Sequence, residues 1–315
     1  MLFRSNLAIH GLNTPEHLAW ALRGPGGDLL KAVIDAGLVD QVGFSSHGST
    51  DVIETALACG RFSFCSLHLH LFDQERLPLA RAALDAGIGV MAISPADKGG
   101  RLYDPPAELQ EDCAPFHPLE LAYRFLLDQG VSTLTLGAAE PSDLQLARAV
   151  MGGVEDPQAP GKGGQPQPAS VGNAARSTRG ARPQAGSPAT PAGSTTWLSH
   201  AQRAALARLE AAGRERLADS QCGQCRQCLP CPNAVPIPAL LRLRNLAVGH
   251  GMRVFASERY SLIGRAGHWW EQVDASACNR CGDCLPRCPL RLPIPNLLVD
   301  THRLLAAPAR RRLWG

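Results

Sequence analysis

Eight of the eleven cysteines fall in two short runs near the C-terminus, and each run ends in Cys-Pro. The first run holds Cys222, Cys225, Cys228 and Cys231, before Pro232. The second holds Cys278, Cys281, Cys284 and Cys288, before Pro289. The second spacing, C-x2-C-x2-C-x3-C-P, suits iron–sulfur ligation: three thiolates two residues apart surround one compact cluster, and the fourth reaches across to a neighbouring cluster. Two such runs predict two [4Fe–4S] clusters. The expected ligand sets are Cys222, Cys225 and Cys228 with Cys288, and Cys278, Cys281 and Cys284 with Cys231. Spacing alone leaves the cluster served by each Cys-Pro cysteine open.

Other cysteine chemistries fit less well. Structural zinc takes four ligands per ion and favours two separated C-x2-C knuckles, whereas four thiolates in one ten-residue run crowd a single ion. A disulfide framework belongs to secreted chains. The first six residues hold no long apolar run or cleavage site, so no secretory leader is predicted.

The cysteine runs belong to an internal repeat. Cys231-Pro232 leads to Pro236-Ile237-Pro238-Ala239-Leu240-Leu241, and Cys288-Pro289 leads to Pro293-Ile294-Pro295-Asn296-Leu297-Leu298. Proline stops the preceding segment and fits a first helical turn. Each Cys-Pro should therefore lead through a short rigid turn into an apolar helix, giving a pseudo-symmetric two-cluster module. Between the runs, Pro238 to Trp270 should supply two helices, with Trp269-Trp270 as an aromatic cover.

A length of 315 residues allows two domains. The net charge of +3 gives no electrostatic case for nucleic acid. No stretch approaches the roughly 20 apolar residues that span a bilayer. A cytoplasmic protein without membrane or nucleic-acid partners is expected, and the reduced thiols that cluster assembly needs agree with that compartment.

From Gly152 to Thr196 there is no Leu, Ile, Phe, Tyr or Trp. Such a segment cannot bury enough apolar surface to offset its ordering entropy, so 152–196 reads as a flexible low-complexity linker between units at 1–151 and 197–315. Order should resume at Trp197. Ser199 followed by Gln202 is a capping-box signature, opening an amphipathic helix marked by Leu206, Leu209 and Leu217.

In the first 150 residues short apolar runs alternate with helical patterns. Strands are expected at Leu7-Ala8-Ile9, Val42 to Ser45, Phe62 to Leu69, Gly89 to Ile93 and Ser132 to Leu136. Helices should start at Thr14-Pro15-Glu16 and cover Ser49 to Ala58, Gln74 to Ala86, Pro118 to Gln129 and Ser142 to Val150. This alternation means parallel β/α units. Polar residues collect at the strand C-termini: His10, Ser45, Ser46, His47, His68, Ser94, Asp97 and Lys98. That is the face on which a β/α barrel performs chemistry.

The segments Ala8-Ile9-His10-Gly11, Gly43-Phe44-Ser45-Ser46-His47, Ile93-Ser94-Pro95 and Gly137-Ala138-Ala139 resemble the later part of the aldo/keto reductase barrel. With the C-terminal cysteines, the chain resembles the branch of that family that carries a ferredoxin-like tail. The resemblance implies an α/β fold: a partial (β/α)8 TIM barrel of about the last five β/α units, then an α-helical ferredoxin-like domain with two clusters. It implies that His10 is the catalytic histidine that orients and polarises a substrate carbonyl, and that Ser45, Ser46 and Ser66 contact a nicotinamide carboxamide. It places a cofactor phosphate at the helix after Gly137 and Ala138, with NAD(P)H as the implied cofactor. The family's Asp, Tyr and Lys belong to the first three β/α units, which precede the matched region, so the chain reads as N-terminally truncated relative to the family.

The resulting expectation is an iron–sulfur oxidoreductase of aldo/keto reductase type, coupling electron transfer to redox of a carbonyl or alcohol substrate. Its partner would be a redox protein or a small molecule. The alternative is a non-enzymatic electron-transfer module docked through the residual barrel. Of the other cysteines, Cys59 should follow a helix, Cys65 lie in a strand and Cys113 lie in a loop. His68 and His70 should share one strand face, and the arginines at 310–312 should form a solvated tail.

Overall fold

Five short apolar runs pair side by side in chain order into one wholly parallel sheet. The computed structural model describes residues 6–96, 98, 100–138, 141–152, 196–265 and 271–307. The expectations for residues 1–5, Asp97, Ala139, the segment 153–195, Trp269-Trp270 and the arginines at 310–312 lie outside the described residues.

The strands are β1 (Asn6–Ile9), β2 (Gln41–Ser46), β3 (Phe64–His68), β4 (Gly89–Ile93) and β5 (Thr133–Leu134). Parallel neighbours require crossovers, and helices supply them. α1 (Pro15–Arg23) and α2 (Pro25–Asp35) join β1 to β2. α3 (Thr50–Ala58) and α4 (Leu77–Asp85) form the next two crossovers. α5 (Ala107–Cys113) and α6 (Pro118–Asp128) lead to β5, and α7 (Gln145–Gly152) follows it. Each crossover returns to the adjacent position, so the chain winds in one direction. A mixed α/β fold results, compatible with part of a β/α barrel.

Strand register separates two faces. Phe44, Cys65 and Val90 are partners across β2–β4, and Leu67 pairs Ala92. All five are buried against Ile53, Ala56, Ala80, Ala83 and Leu126 of the helices. On the opposite face Phe64 is flanked by Gly43 and Gly89. A Cβ on Gly43 would stand 2.4 Å from the Phe64 ring, so glycine is what lets this aromatic lie across its neighbour.

The sequence reading is refined in three places. Gly24-Pro25 divides the helix expected from Thr14 into α1 and α2, because Pro25 has no N–H to continue α1 and opens α2 instead. β5 spans two residues rather than five; beside it the Ser132 and Thr135 N–H groups donate to the Val90 and Ala92 carbonyls, both at 2.9 Å, while their hydroxyls accept from Val90 N–H and Ser94 N–H. Cys113 closes helix α5 and is buried, rather than lying in a loop.

The C-terminal part is helical among the described residues: α8 (His200–Leu217), α9 (Ile237–Gly249), α10 (Arg253–Ser261) and α11 (Ile294–Leu305). Ser199 and Gln202 form the capping box, with bonds of 2.8 and 3.2 Å. Gln202 also donates to Glu120 of α6 at 2.9 Å. One continuous core joins Leu109, Leu121 and Tyr123 of α5 and α6 to Leu209, Leu240, Phe255 and Leu298 of the tail. Arg216 grips Asp112 of α5 through two bonds, at 2.5 and 2.9 Å, and pairs with Glu108 at 2.8 Å. The tail is thus packed onto the sheet's last helices. Among the described residues no helix is long and apolar enough to cross a membrane.

Candidate metal centres and the strand-end face

The internal repeat is reproduced in backbone geometry. Gln224 and Arg226 in the first run have φ of 56° and 62°; their counterparts Arg280 and Gly282 have 63° and 87°. Ala234 and Arg291, past each Cys-Pro, have 54° and 52°. Left-handed residues interleaved with cysteines curl each run inward, and five of these six are not glycine, a strained choice of the kind found at functional sites. Each run then enters its helix through the same Pro-Ile-Pro step, with N-caps at Pro236 and Pro293.

Two cysteine-lined cavities result. One is bordered by Cys222, Cys225, Cys228 and Cys288, with apolar walls from Pro238, Leu241 and Leu292. The other is bordered by Cys231, Cys278, Cys281 and Cys284, with walls from Pro295 and Leu298. Each cavity draws three cysteines from one run and the fourth from the other, and Ile237 borders both. Asn245 of α9 anchors the first run, accepting from Cys222 N–H at 3.3 Å and donating to its carbonyl at 2.8 Å. The Gln224 N–H donates to Cys222 Sγ at 3.4 Å.

The donor set is suited to an electron-rich metal cluster. All eight cysteines are free thiols. Burial, reinforced by the other cysteines, pushes the Cys228 thiol up to about 11 and raises those of Cys222 and Cys284. Such crowded thiols give up their protons when metal charge sits among them. Among the described residues, no three His, Cys, Asp or Glu side chains converge tightly enough to hold one metal ion. A tetrahedral zinc, with Zn–S of about 2.3 Å, would need its sulfurs about 3.8 Å apart. These cysteines border a shared space instead of meeting at a point.

The chain matches no protein-family model, no curated protein and no solved structure.

At the C-terminal ends of the strands, exposed His10 places Nδ1 3.2 Å from the Ser45 hydroxyl, which also accepts from Gly11 N–H at 3.1 Å. Ser46, expected beside a nicotinamide, is fully buried: its hydroxyl donates to the Leu12 carbonyl at 2.6 Å and accepts from Gly48 N–H at 3.0 Å. Ser66 is 7% exposed, and its hydroxyl faces Met91 Sδ at 3.8 Å. Ser46 and Ser66 thus serve loop and sheet packing, while Ser45 stays beside His10. Gly137 and Ala138 are exposed in the coil after β5.

A group of three histidines lies next to them. Register places Ser46 opposite Leu67, which brings His47 against His68 with Nε2 atoms 3.4 Å apart and ring centroids 4.3 Å apart. His70 stands 5.6 Å beyond, 4% exposed, its Nδ1 without a partner. Burial drives His47 down to about 4, His68 to about 2 and, against the opposing field of Asp73, His70 to about 3. All three rings are therefore neutral at pH 7. Arg76 donates to the carbonyls of Ser46, His47 and Gly48, fixing a guanidinium charge behind them.

Proposed function

We propose that this chain is an iron–sulfur oxidoreductase of aldo/keto reductase type, in which a ferredoxin-like tail on a partial β/α barrel holds two [4Fe–4S] clusters. The observation that carries this reading is the composition of the two cavities, each bordered by three cysteines of one run and the Cys-Pro cysteine of the other. When bound, such clusters supply one-electron transfer at potentials set by charge, hydrogen bonds to sulfur and solvent exposure. In the first cavity Cys222, Cys225, Cys228 and Cys288 are the holding residues; in the second, Cys231, Cys278, Cys281 and Cys284. Ile237, Leu241 and Leu298 supply apolar walls, while Cys225 and Cys281 stay exposed, and the Gln224 N–H stabilises charge on Cys222.

The substrate side of the reading rests on the strand-end face. Ser45 fixes one nitrogen of His10, which leaves the exposed ring free to orient and polarise a carbonyl or alcohol oxygen. A second reading is favoured by Ser46 and Ser66, whose hydroxyls are engaged in contacts within the protein. In that reading the chain is a non-enzymatic electron-transfer module and the sheet is its docking platform.

Anaerobic purification with iron and acid-labile sulfide analysis tests the common core of both readings. About eight of each per chain, with EPR signals after dithionite reduction, are expected. Stoichiometric zinc, or folded protein that never takes up iron, would overturn it. NAD(P)H consumption by the iron-loaded protein with carbonyl substrates separates the enzymatic reading from the second.

A further inference from the structure

We propose that Tyr260 and His302 form one anchor that positions Cys278, and so tunes the centre held by Cys231, Cys278, Cys281 and Cys284 separately from the other. This adds two positioning residues to the cluster reading above, and it rests on that reading.

The internal repeat points to the pair. Ile237 and Ile294 hold the same place in the two Pro-Ile-Pro steps, and eight residues beyond them stand Asn245 in α9 and His302 in α11. Asn245 grips the first cysteine of its run directly, through the N–H and the carbonyl of Cys222. His302 acts through an intermediary. The Tyr260 hydroxyl lies 2.8 Å from His302 Nδ1 and accepts from Ala275 N–H at 3.0 Å. With its oxygen engaged by that N–H, the hydroxyl has its own proton to donate to Nδ1. Ala275 opens a single 3-10 turn, Ala275–Ala277, and the Cys278 N–H donates to the Ala275 carbonyl at 3.2 Å. Asn233, past the first run, donates to the Ala277 carbonyl at 2.9 Å and steadies the same turn. The chain thus enters the second run from a turn that α10 and α11 hold together.

The anchor is buried where it matters. Tyr260 and Ala275 are each 3% exposed. Burial, ahead of the opposing Ala275 N–H, raises the Tyr260 phenol to about 12, so it keeps its proton at neutral pH. A buried N–H that loses its acceptor is costly, so without the hydroxyl the turn has to shift toward water, and Cys278 with it. Water around the sulfurs favours the more negative, reduced state of a cluster, which raises its potential. The Asn245 anchor shares none of these atoms, so the first cavity should not respond.

An EPR-monitored redox titration of the iron-loaded protein tests the anchor, with the signal that survives in Cys225→Ala marking the second centre. Tyr260→Phe removes one hydroxyl and keeps the packed ring. It is expected to raise the potential of the second centre, so that the ratio of reduced to oxidised centre at a fixed potential grows about threefold or more, and to leave the first centre unchanged. His302→Leu should act in the same way. His302→Asn, with an oxygen able to accept near the place of Nδ1, should restore the parent potential. His302 is half-buried, so its variants keep the test decisive if Tyr260→Phe fails to fold. In metal-free protein, alkylation mapped by mass spectrometry should be several-fold faster at Cys278 in Tyr260→Phe, with Cys222 unaltered. Equal shifts at both centres, or unchanged potential and alkylation in iron-replete variants, overturn the proposal. A parent chain that takes up no iron sinks the cluster reading and the tuning role with it, whereas unmoved variants of an iron-replete parent sink this anchor alone.

Discussion

Arg226, inside the first cysteine run, is ion-paired at 2.5 Å with Glu75 in the loop after β3. The same arginine borders the cavity formed by Cys222, Cys225, Cys228 and Cys288. One side chain therefore touches both the sulfur-lined cavity and the segment that leads to Arg76 and the histidines. Removing its charge should make added negative charge in the cavity less favourable. Arg226→Met is expected to lower the reduction potential of the centre there by on the order of tens of millivolts, since the arginine is half-exposed and screened. An EPR-monitored redox titration reads the shift; an unchanged or raised potential would show that the arginine does not act on that centre.

The exchange of the fourth cysteine makes a pairing prediction. Cys231→Ala and Cys281→Ala border the same cavity, although they belong to different runs. Both variants should lose about half the iron and leave the same residual EPR spectrum. Cys225→Ala should leave the other spectrum. A Cys231→Ala spectrum matching Cys225→Ala would mean that each run keeps its own fourth ligand.

Gly43→Ala tests the packing of the inner sheet face. The added methyl meets the Phe64 ring and the Phe64 carbonyl oxygen, both at 2.4 Å, and the carbonyl belongs to a paired strand that cannot retreat. A loss of about 1–3 kcal/mol in unfolding free energy is expected. Gly60→Ala, where a Cβ meets nothing within 4 Å, strains only a positive φ of 70° and should cost less. Urea midpoints of the two variants decide the point, and equal losses would remove the steric argument.

How much of this could be read from the chain depends on how local each feature is. The cysteine spacing, the repeated Pro-Ile-Pro step and the Ser199–Gln202 capping box are encoded within a few residues, and all three have direct counterparts in the backbone. The five strands were legible because each is an apolar run bounded by turn residues. Their lengths were not: at both ends of β5 the hydroxyls of Ser132 and Thr135, not their neighbours' carbonyls, accept the N–H groups of Val90 and Ser94. α5 has no long apolar stripe to announce it; Leu109 and Cys113 become core residues only once α8 covers them. The His47–His68 contact needs strand register, and the Arg242–Asp73 and Arg226–Glu75 pairs need the docked tail, so no window of sequence could contain them.

Buried histidines predict the response to acid. His250 stacks on Phe72, with ring centroids 4.7 Å apart, and its Nδ1 has no partner. Burial, ahead of the opposing fields of Asp112 and Arg216, lowers it to about 4. Between its unfolded value of about 6.5 and about 4, the unfolded chain binds a proton that the folded chain refuses. Stability should therefore be full above about pH 6.5 and fall as pH drops toward 4, by on the order of 2 kcal/mol from this group. His250→Leu should flatten that slope in urea titrations at pH 7.5 and pH 5. An equally steep loss in the variant would assign the acid sensitivity elsewhere.

The three-plus-one composition of each cavity also constrains biosynthesis. When Cys222, Cys225 and Cys228 have left the ribosome, the fourth wall of their cavity, Cys288, still waits behind α9 and α10. The second cavity needs Cys231, which comes from the first run. Neither cavity has all four cysteines until the second run has emerged. Closure of both cavities by cysteine therefore waits for the second run, so that the tail is completed as a unit.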